Sequence, residues 1–336
     1  MPKTIKSEYD KNLTYEKLME SHIKSRKGKG YRKEIIEFNL KQEEYIMWLL
    51  ERLQTQKYKH GGYTTFYVTE PKLRKIEKSR YIDRIVHRWI VDNFLEPAFV
   101  PQFINTSFAC LKNKGMHRAC LYVQKTMQHC TRIWGEYYIL KMDVAKYFDN
   151  INKAILLKII ERKIKDPKVI WLIKEILYSQ KREKGLEIGN YTSQMFANIY
   201  LNEIDQFIKH KLHIKYYCRY LDDSIVIVKT KKEAKNTLKE IQKFLNENLQ
   251  LELNKKTQIF KNKQGVNFCG YKIKEYRLKI RDKGKRKLKK KVKKLKEQIK
   301  LGKITSKEAH KYLAGHIGYI KIANVKSLTE KIFYKE

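Results

Sequence analysis

The segment YYCRYLDDSIVIVKT, residues 216–230, places two adjacent aspartates between short runs of aromatic and β-branched residues. Such runs are typical of β-strands, and Asp suits the turn that joins two strands. The segment therefore predicts two strands that meet at Asp222 and Asp223. Taken alone, an aspartate pair in this position is explained by an ordinary turn.

A second predicted strand with an acid at its end precedes this pair. In EYYILKMDVAKYF, from residue 136, Asp143 follows an apolar run, and an unpaired charge there would be costly. Three carboxylates on two neighbouring strand ends repel one another unless a cation lies among them. Two Mg²⁺ ions about 4 Å apart, for which Mn²⁺ can substitute, would resolve the repulsion and support nucleotidyl transfer. The pattern predicts a two-metal site at Asp143, Asp222 and Asp223.

The surrounding chain is strongly basic. Its 75 Lys and Arg against 36 Asp and Glu give a formal charge of +39. This excess predicts a polyanionic partner, most commonly a nucleic acid, although many solvated lysines on an ordinary protein produce the same excess. The hydrophobic content of 42% excludes a disordered chain despite 33% charged residues.

Cysteine usage and apolar runs bear on location. The five cysteines are odd in number and no pair has C-x-x-C spacing, so neither a disulfide framework nor a zinc site is indicated. The first twelve residues lack the apolar core of a signal peptide, and no run approaches the ~20 apolar residues of a membrane span. We therefore expect a cytoplasmic protein that does not bind a membrane.

Hydrophobic periodicity predicts alternating groups of helices and strands. In the first half it predicts helices up to about residue 60 with a basic linker at 25–33, a hairpin at 61–72, a helix at 80–99 that stops at Pro97, and a strand after 136 followed by a helical segment of about 25 residues. In the second half it predicts a helix at 192–212, the strand pair around Asp222, a helix at 231–248, and strands at 251–260 and 266–273.

The segment 281–300 changes character. Twelve of its twenty residues are Lys or Arg, while Leu288, Val292, Leu295 and Ile299 recur at helical spacing. This pattern predicts a basic helix with a narrow apolar stripe. Its charged face is either solvated or contacts a nucleic-acid backbone, in which case the contacting residues would include Lys289, Lys290, Lys293 and Lys294.

Five segments together make the chain resemble reverse transcriptases. DVAKYFDNI, GLEIGNYTSQMFANIYLNEID, RYLDD, LELNKKT and NFCGYKI follow the order and spacing of motifs A to E of that family, and residues 70–99 resemble the fingers of its bacterial members. The resemblance runs from about residue 15 to the end. It implies an α+β right-hand polymerase with fingers, palm and thumb, in which a ferredoxin-like palm sheet and a helical thumb serve RNA-directed DNA synthesis from dNTPs on a primer–template duplex.

The resemblance also implies domain boundaries. They are a helical N-terminal extension at 1–60, fingers at 61–135, a palm at 136–275 with a helical fingers insertion at about 150–195, and a basic helical thumb at 276–336.

Carried over by motif, Asp143 and Asp222 would be the catalytic metal ligands, with Asp223 as the assisting acid. The residues implied for dNTP binding are Lys72, Arg74, Phe148, Ile188, Gly189, Gln194 and Lys256. Those implied for the primer grip are Phe268, Cys269, Gly270 and Tyr271.

Within the dNTP set, each residue type suits a task. Lys72 and Arg74 would bind the triphosphate, and Phe148 would exclude a ribose 2′-hydroxyl. Gly189 would let the backbone approach the nascent base pair, and Lys256 could protonate the leaving pyrophosphate. A core Phe, a turn Gly, solvated basic residues and, at 268–271, a plain strand and turn are the alternatives.

Motif B selects a branch of the family. Most members have Q-G-x-x-x-S-P there, whereas residues 188–194 have the form I-G-N-x-x-S-Q. That form looks like the reverse transcriptases of diversity-generating retroelements, which copy a template RNA with errors opposite adenines in mutagenic retrohoming. The resemblance implies a structured template RNA and a multimeric small helical accessory protein as partners. Glu187, where Pro is usual, and Leu221, where Met or Val is commoner, depart from the pattern.

Other functions remain open. A retron or antiphage-defence reverse transcriptase has the same chemistry, whereas a catalytically idle RNA-binding protein would keep only the scaffold. Retention of the three acids and Phe148 argues against the idle protein. Because the sequence ends at residue 336, we also expect no maturase and endonuclease extension of a full group II intron protein.

Overall fold

The computed structural model of the chain describes residues 4–69, 72–324 and 330. Its helices are α1 (Tyr9–Asn12), α2 (Tyr15–Arg26), α3 (Lys33–Leu40), α4 (Gln42–Gln54), α5 (Tyr81–Ile90), α6 (Glu96–Phe99), α7 (Met116–Trp134), α8 (Tyr147–Asn150), α9 (Lys153–Glu161), α10 (Pro167–Leu177), α11 (Tyr191–Gln206), α12 (Lys231–Leu249), α13 (Asp282–Lys300) and α14 (Ser306–Ile320). Its strands are β1 (Tyr63–Val68), β2 (Arg74–Ser79), β3 (Tyr138–Asp143), β4 (Tyr216–Tyr220), β5 (Asp223–Val228), β6 (Gln258–Lys261), β7 (Val266–Phe268), β8 (Tyr271–Lys274) and β9 (Arg277–Ile280).

The chain forms two compact units. The first unit takes its residues from 1–105, 144–212 and 240–255, and the second unit from 106–143, 213–239 and 256–336. Each unit combines segments that are far apart in the sequence. The predicted domain boundaries, which are continuous in sequence, remain a prediction.

The second unit is built on an antiparallel four-stranded sheet with the order β4-β5-β3-β6. Strands β3 and β5 are almost continuously apolar, which suits strands covered on both faces. Ile139 and Ile225 pack in one buried cluster with Val123 and Met127 of α7. This packing fixes the two strands whose ends carry the predicted metal acids.

A second sheet of the same unit, with the order β7-β8-β9, shares this core with the helix α13. Three residues of the predicted apolar stripe, Leu288, Val292 and Leu295, are buried, whereas Ile299 is 36% exposed. The basic helix is therefore confirmed, and its apolar contact covers about two turns.

The first unit is mainly helical. Helix α2 packs against α4 and α5, and α11 packs against α5 and α9. Trp89 of α5 is buried against the edge of the Tyr9 ring and donates from Nε1 to the carbonyl of Asn12 at 2.9 Å. Asp166 caps α10 and also accepts from the backbone N–H groups of Glu8 and Tyr9 at 2.8 and 2.9 Å. These bonds tie the N-terminal helices into the unit.

Several predicted elements differ from the structure. The helix predicted to stop at Pro97 continues through a π-helical turn, Val91–Leu95, into α6, because Pro97 lies in the first turn of α6, where its missing N–H is not needed. The strand predicted at 266–273 is a hairpin, because Cys269 and Gly270 both adopt positive φ. The strand predicted at 251–260 begins only at Gln258, and the helical segment after β3 is divided where Asp166 caps a new helix.

Within residues 4–69 and 72–324, none of the helices is both long enough and apolar enough to cross a membrane.

A buried histidine in the first unit predicts acid sensitivity. His87 is 1% exposed, its Nδ1 lies 3.2 Å from Thr192 Oγ1, and its buried Nε2 has no hydrogen-bond partner in the part of the chain that the structure describes. Burial, then the neighbouring His60 and Arg84, lower the pKa of His87 to about 3. The unfolded chain therefore binds a proton below the ordinary pKa of about 6.5 that the folded chain does not bind. The contribution of neutral His87 to the free energy of unfolding is therefore fully present above about pH 6.5 and is lost as the pH falls towards 3.

At pH 5 we expect this residue alone to lower the free energy of unfolding by about 2 kcal/mol relative to pH 7. Urea unfolding at both pH values, on the wild type and His87→Gln, measures the difference. If both proteins lose the same stability between pH 7 and pH 5, His87 does not remain neutral in the folded state.

Candidate active site

Asp222 lies at the tip of the β4–β5 hairpin. Tyr220 and Asp223 pair across the strands, so Leu221 and Asp222 form the turn. Leu221 has a φ of 53°, which a bulky residue rarely adopts. The buried Arg219 donates from Nη1 to the Leu221 carbonyl at 3.1 Å. Such backbone persists only where its surroundings fix it, and it clusters at functional sites.

Asp143 and Asp223 lie opposite each other on β3 and β5. Side chains directly opposite on antiparallel strands have Cβ atoms about 4.5–5.5 Å apart. Lys141 Nζ lies 3.3 Å from Asp223 Oδ2. Burial is the main cause that raises the pKa of Asp223 to about 7; Lys141 opposes this shift, and the charges of Asp143 and Asp222 add to it. The structure thus brings the three predicted metal acids together in the second unit.

These residues fit a divalent cation. Asp223 Oδ1 is buried and has no hydrogen-bond partner among the described residues, and carboxylate oxygens are the ligands that Mg²⁺ prefers. In the part of the chain that the structure describes, no group of three or more His, Cys, Asp and Glu side chains forms a ready-made metal site. Mg²⁺ in nucleotide enzymes is commonly bound by one or two carboxylates together with water and substrate phosphates, so a closed protein cage is not required.

The motif B segment of the first unit is held against β2. The carbonyl of Ile188 accepts from the Glu77 N–H at 3.0 Å, and Asn190 Oδ1 accepts from Ser79 Oγ at 2.9 Å. Gly189 has a φ of +123°, and a Cβ on it would lie 3.0 Å from the Ile76 side chain. Glycine is therefore needed here for its backbone conformation and its close approach to β2. Its predicted approach to a base pair remains a prediction.

The other dNTP residues predicted in the first unit have accessible side chains. Lys72 and Arg74 are exposed, with Arg74 at the start of β2, while Pro71, within the hairpin predicted at 61–72, lies outside the described residues. Gln194 is exposed on the first turn of α11. Phe148 is half-buried, and its carbonyl accepts from the Leu186 N–H at 2.8 Å, two residues before Ile188.

The predicted primer grip is the β7–β8 hairpin of the second unit. Phe268 and Tyr271 are buried in its core, and Cys269 and Gly270 form the turn. Tyr319 of α14 stacks on Tyr271 with ring centroids 4.7 Å apart and donates from its hydroxyl to the Gly270 carbonyl at 2.5 Å. The turn, rather than the two aromatic side chains, is therefore the part that could contact a primer.

The predicted lysines of the second unit are exposed. Lys256 lies between α12 and β6, and Lys289, Lys290, Lys293 and Lys294 lie on α13. Sequence reasoning did not identify Lys141 and Arg219. The strand period of two places Lys141 on the face of Asp143, and a charged residue within the apolar strand β4 was the available signal for Arg219.

Comparisons with known proteins show which family this chain resembles in sequence. The sequence model of the family described as "Reverse transcriptase (RNA-dependent DNA polymerase)" matches residues 59–273. Protein YkfC of Escherichia coli K12 is 26% identical over 247 residues, which cover 60% of this chain and 63% of YkfC. The group II intron-encoded protein LtrA of Lactococcus lactis subsp. cremoris is 24% identical over 305 residues, which cover 69% of this chain and 50% of LtrA.

The chain thus spans between one half and two thirds of the length of these relatives. A solved structure of apo telomerase from Candida tropicalis, truncated from the C-terminal domain, superposes with a TM-score of 0.46 and 13% identity over 65% of this chain and 55% of that chain.

Proposed function

This chain belongs to the reverse transcriptase (RNA-dependent DNA polymerase) family, and we propose that it copies a template RNA into cDNA by two-metal nucleotidyl transfer. Family membership confirms the predicted α+β right-hand polymerase fold. The observation that carries the proposed activity is the pairing of Asp143 with Asp223 beside the hairpin tip that holds Asp222. A protein that only bound RNA would gain nothing from clustered negative charge on a chain of +39.

In this proposal the carboxylates would hold two Mg²⁺ ions, which would supply Lewis acidity for nucleotidyl transfer. Asp143 and Asp222 would be the principal ligands and Asp223 would assist, with Lys141 balancing its charge at 3.3 Å. Lys72 and Arg74 bind the triphosphate through charge-assisted hydrogen bonds. Phe148 excludes the ribose 2′-hydroxyl, and Lys256 donates a proton to the leaving pyrophosphate. The turn at Cys269 and Gly270 supports the primer end.

The finer assignment is a diversity-generating retroelement enzyme that makes errors opposite template adenines. The I-G-N-x-x-S-Q segment at 188–194 supports it. The structured template RNA and the multimeric small helical accessory protein belong to the same proposal. A group II intron enzyme is the second candidate, because LtrA carries that description. Retron and antiphage-defence enzymes share the same chemistry. The rate of errors opposite template adenines would distinguish them from a diversity-generating enzyme.

We place the activity in the cytoplasm as part of the same proposal. All five cysteines lie in the described residues as free thiols, and three of them, Cys120, Cys130 and Cys218, are buried. Free thiols suit a reducing compartment.

The polymerase assignment is tested by incorporation of dNTPs on a primed RNA template. We expect primer extension that requires Mg²⁺ or Mn²⁺, is lost with EDTA, and strongly favours dNTPs over NTPs. A purified, folded protein that binds the primed RNA but never extends it with either metal would support the idle RNA-binding alternative.

Ile188→Gln tests the error-prone assignment. The Ile188 carbonyl is held by Glu77, so the substitution keeps the backbone bond and changes only a half-buried side chain. Gln can hydrogen-bond near the templating base, and one such polar constraint is worth roughly 0.5–1.5 kcal/mol, or about a three- to tenfold gain in discrimination. We expect misincorporation opposite template adenines to fall by this factor when cDNA is sequenced.

Ile188→Leu is the matched control, since it keeps an apolar side chain of the same size and should keep the wild-type error profile. Equal adenine error rates in Ile188→Gln and the wild type, with activity preserved, would exclude this role for Ile188. A wild type that is accurate at adenines would favour the intron, retron or defence enzymes.

A further inference from the structure

Two buried glutamates of the first unit share one arginine. Glu77 of β2 is 5% exposed, and Glu187, which precedes Ile188, is 3% exposed. Arg182 Nη2 donates to Glu77 Oε2 at 2.8 Å and to Glu187 Oε1 at 3.0 Å. One guanidinium therefore joins strand β2 to the motif B segment.

Two lysines also contact these glutamates. Lys153 is fully buried, with its Nζ 3.9 Å from Glu187 Oε1 and 3.3 Å from the Gln180 carbonyl oxygen, to which it donates. Lys75 Nζ donates to Glu77 Oε1 at 2.9 Å. Burial lowers the pKa of Lys153, and Glu187 opposes that shift. We call Lys75, Glu77, Lys153, Arg182 and Glu187 the Glu187 network.

Glu77 holds the motif B segment in two ways. Its side chain reaches Glu187 through Arg182, and its backbone N–H donates to the Ile188 carbonyl at 3.0 Å. Asn190 Nδ2 adds a bond to the Glu77 carbonyl at 3.3 Å. The strand that carries these bonds begins at Arg74, a proposed triphosphate contact. A shift of Glu187 would therefore be transmitted to both Ile188 and the strand of Arg74.

Buried ion pairs add little net stability compared with apolar replacements, but removing one partner leaves an uncompensated buried charge. The role of such a network is therefore better explained by the positions in which it holds β2 and the motif B segment than by a gain in stability. The position is also one where the resemblance to the family makes an uncharged proline usual. The charge at Glu187 and its partners Arg182 and Lys153 distinguish this chain at that point.

We propose that Glu187, acting through Arg182 and Glu77, is a positioning residue that sets the motif B segment against β2 and thereby determines nucleotide binding and base selection. This inference rests on the proposed function, because it takes an incoming dNTP to be the ligand that Ile188 and Arg74 contact. Glu187 acts through these neighbours and does not itself contact the nucleotide.

Glu187→Gln is the direct test, since it keeps the shape and one acceptor but removes the charge. Amide exchange of a peptide that contains Glu77, followed by mass spectrometry, reports the bond to Ile188 without any turnover. We expect exchange there to accelerate on the order of tenfold, because Arg182 and the buried Lys153 each lose the carboxylate of Glu187, which loosens the segment. Titration with a fluorescent dATP analogue in Mg²⁺ should show binding weakened on the order of fivefold.

Steady-state kinetics then separate positioning from plain loss of folded protein. We expect the KM for dNTPs to rise on the order of fivefold while kcat per active molecule changes by less than about twofold, and adenine misincorporation to increase. A merely structural role would lower the active fraction and the melting temperature but leave KM and the error profile unchanged. Arg182→Lys, which keeps the positive charge, should fall between the wild type and Arg182→Gln.

Glu203→Gln is the matched control. Glu203 pairs with Arg162 at 2.6 Å in the same unit, but the pair lies near the surface, and within the described residues it makes no hydrogen bond to β2. It should leave amide exchange, nucleotide affinity and the error profile as in the wild type. If Glu203→Gln changes them as much as Glu187→Gln, a general charge effect replaces our proposal.

The two proposals fail separately. Unchanged exchange at Glu77 and unchanged nucleotide affinity in Glu187→Gln overturn the positioning role, whether or not the wild type polymerises. A wild type that binds the dATP analogue but does not extend a primer overturns the polymerase assignment alone. A wild type that does not bind the analogue overturns both.

Discussion

Asp143→Asn and Asp222→Asn are each expected to lower the rate of DNA synthesis on primed RNA by about a thousandfold or more. An amide of the same shape keeps the strand end and the hairpin tip in place but removes the negative charge that a divalent cation needs. RNA affinity should stay the same or rise slightly, because one negative charge is lost from a chain of +39. Single-turnover primer extension and filter binding measure the two quantities.

Asp10→Asn is the matched control, since Asp10 is an exposed partner of Lys168 in the first unit. It should retain wild-type synthesis. Asp223→Asn should have a smaller effect than the other two, because Lys141 already shares one oxygen of Asp223. Substantial extension by Asp143→Asn or Asp222→Asn would contradict the two-metal assignment.

The carboxylate arrangement was largely predictable from the sequence. Alternating and continuous apolar runs mark β3, β4 and β5, and the Asp-Asp pair marks the turn between two of them. These signals are local, because strand propensity and turn chemistry act over a few residues. The prediction of two acid-bearing strand ends is confirmed by the pairing of Asp143 with Asp223.

The register and the supporting contacts were not predictable in the same way. Arg182 lies 105 residues from Glu77, and Tyr319 lies 49 residues from Gly270. No local pattern specifies which buried charges meet over such separations. Glu187 was visible in the sequence only as a departure from the usual proline, and its partners became clear from the packing of β2.

Local signals also misled where one residue type has two uses. Pro97 was expected to end a helix, yet proline is tolerated in the first turn of the helix that starts at Glu96. Cys269 at positive φ turned a predicted strand into a hairpin, because the following Gly270 makes a two-residue turn available. Phe268 and Tyr271, on either side of this turn, are both buried, so tertiary packing favours the hairpin over a continuous strand.

Replacing the four exposed lysines of α13, Lys289, Lys290, Lys293 and Lys294, with Gln should weaken primer–template binding strongly. The helix should remain in place, because Leu288, Val292 and Leu295 are buried on its other side and Gln has a helix propensity close to that of Lys. Each lost phosphate contact lowers the slope of log affinity against log salt by about 0.7–0.9, so four contacts lower it by about 3.

The exposed lysines of α12, Lys231, Lys232, Lys235 and Lys239, provide a control with the same charge change on another helix. The affinity of both variants for the primer–template is measured between 50 and 200 mM salt. Over this range the affinity of a protein that makes several phosphate contacts falls by orders of magnitude. If the salt slope is lower for the α13 variant alone, α13 contacts the primer–template duplex, since a general loss of charge would lower the slope of both variants alike. An unchanged slope for the α13 variant would mean that its basic face contacts solvent or a protein partner, and the backbone contacts would then have to be sought elsewhere on the chain.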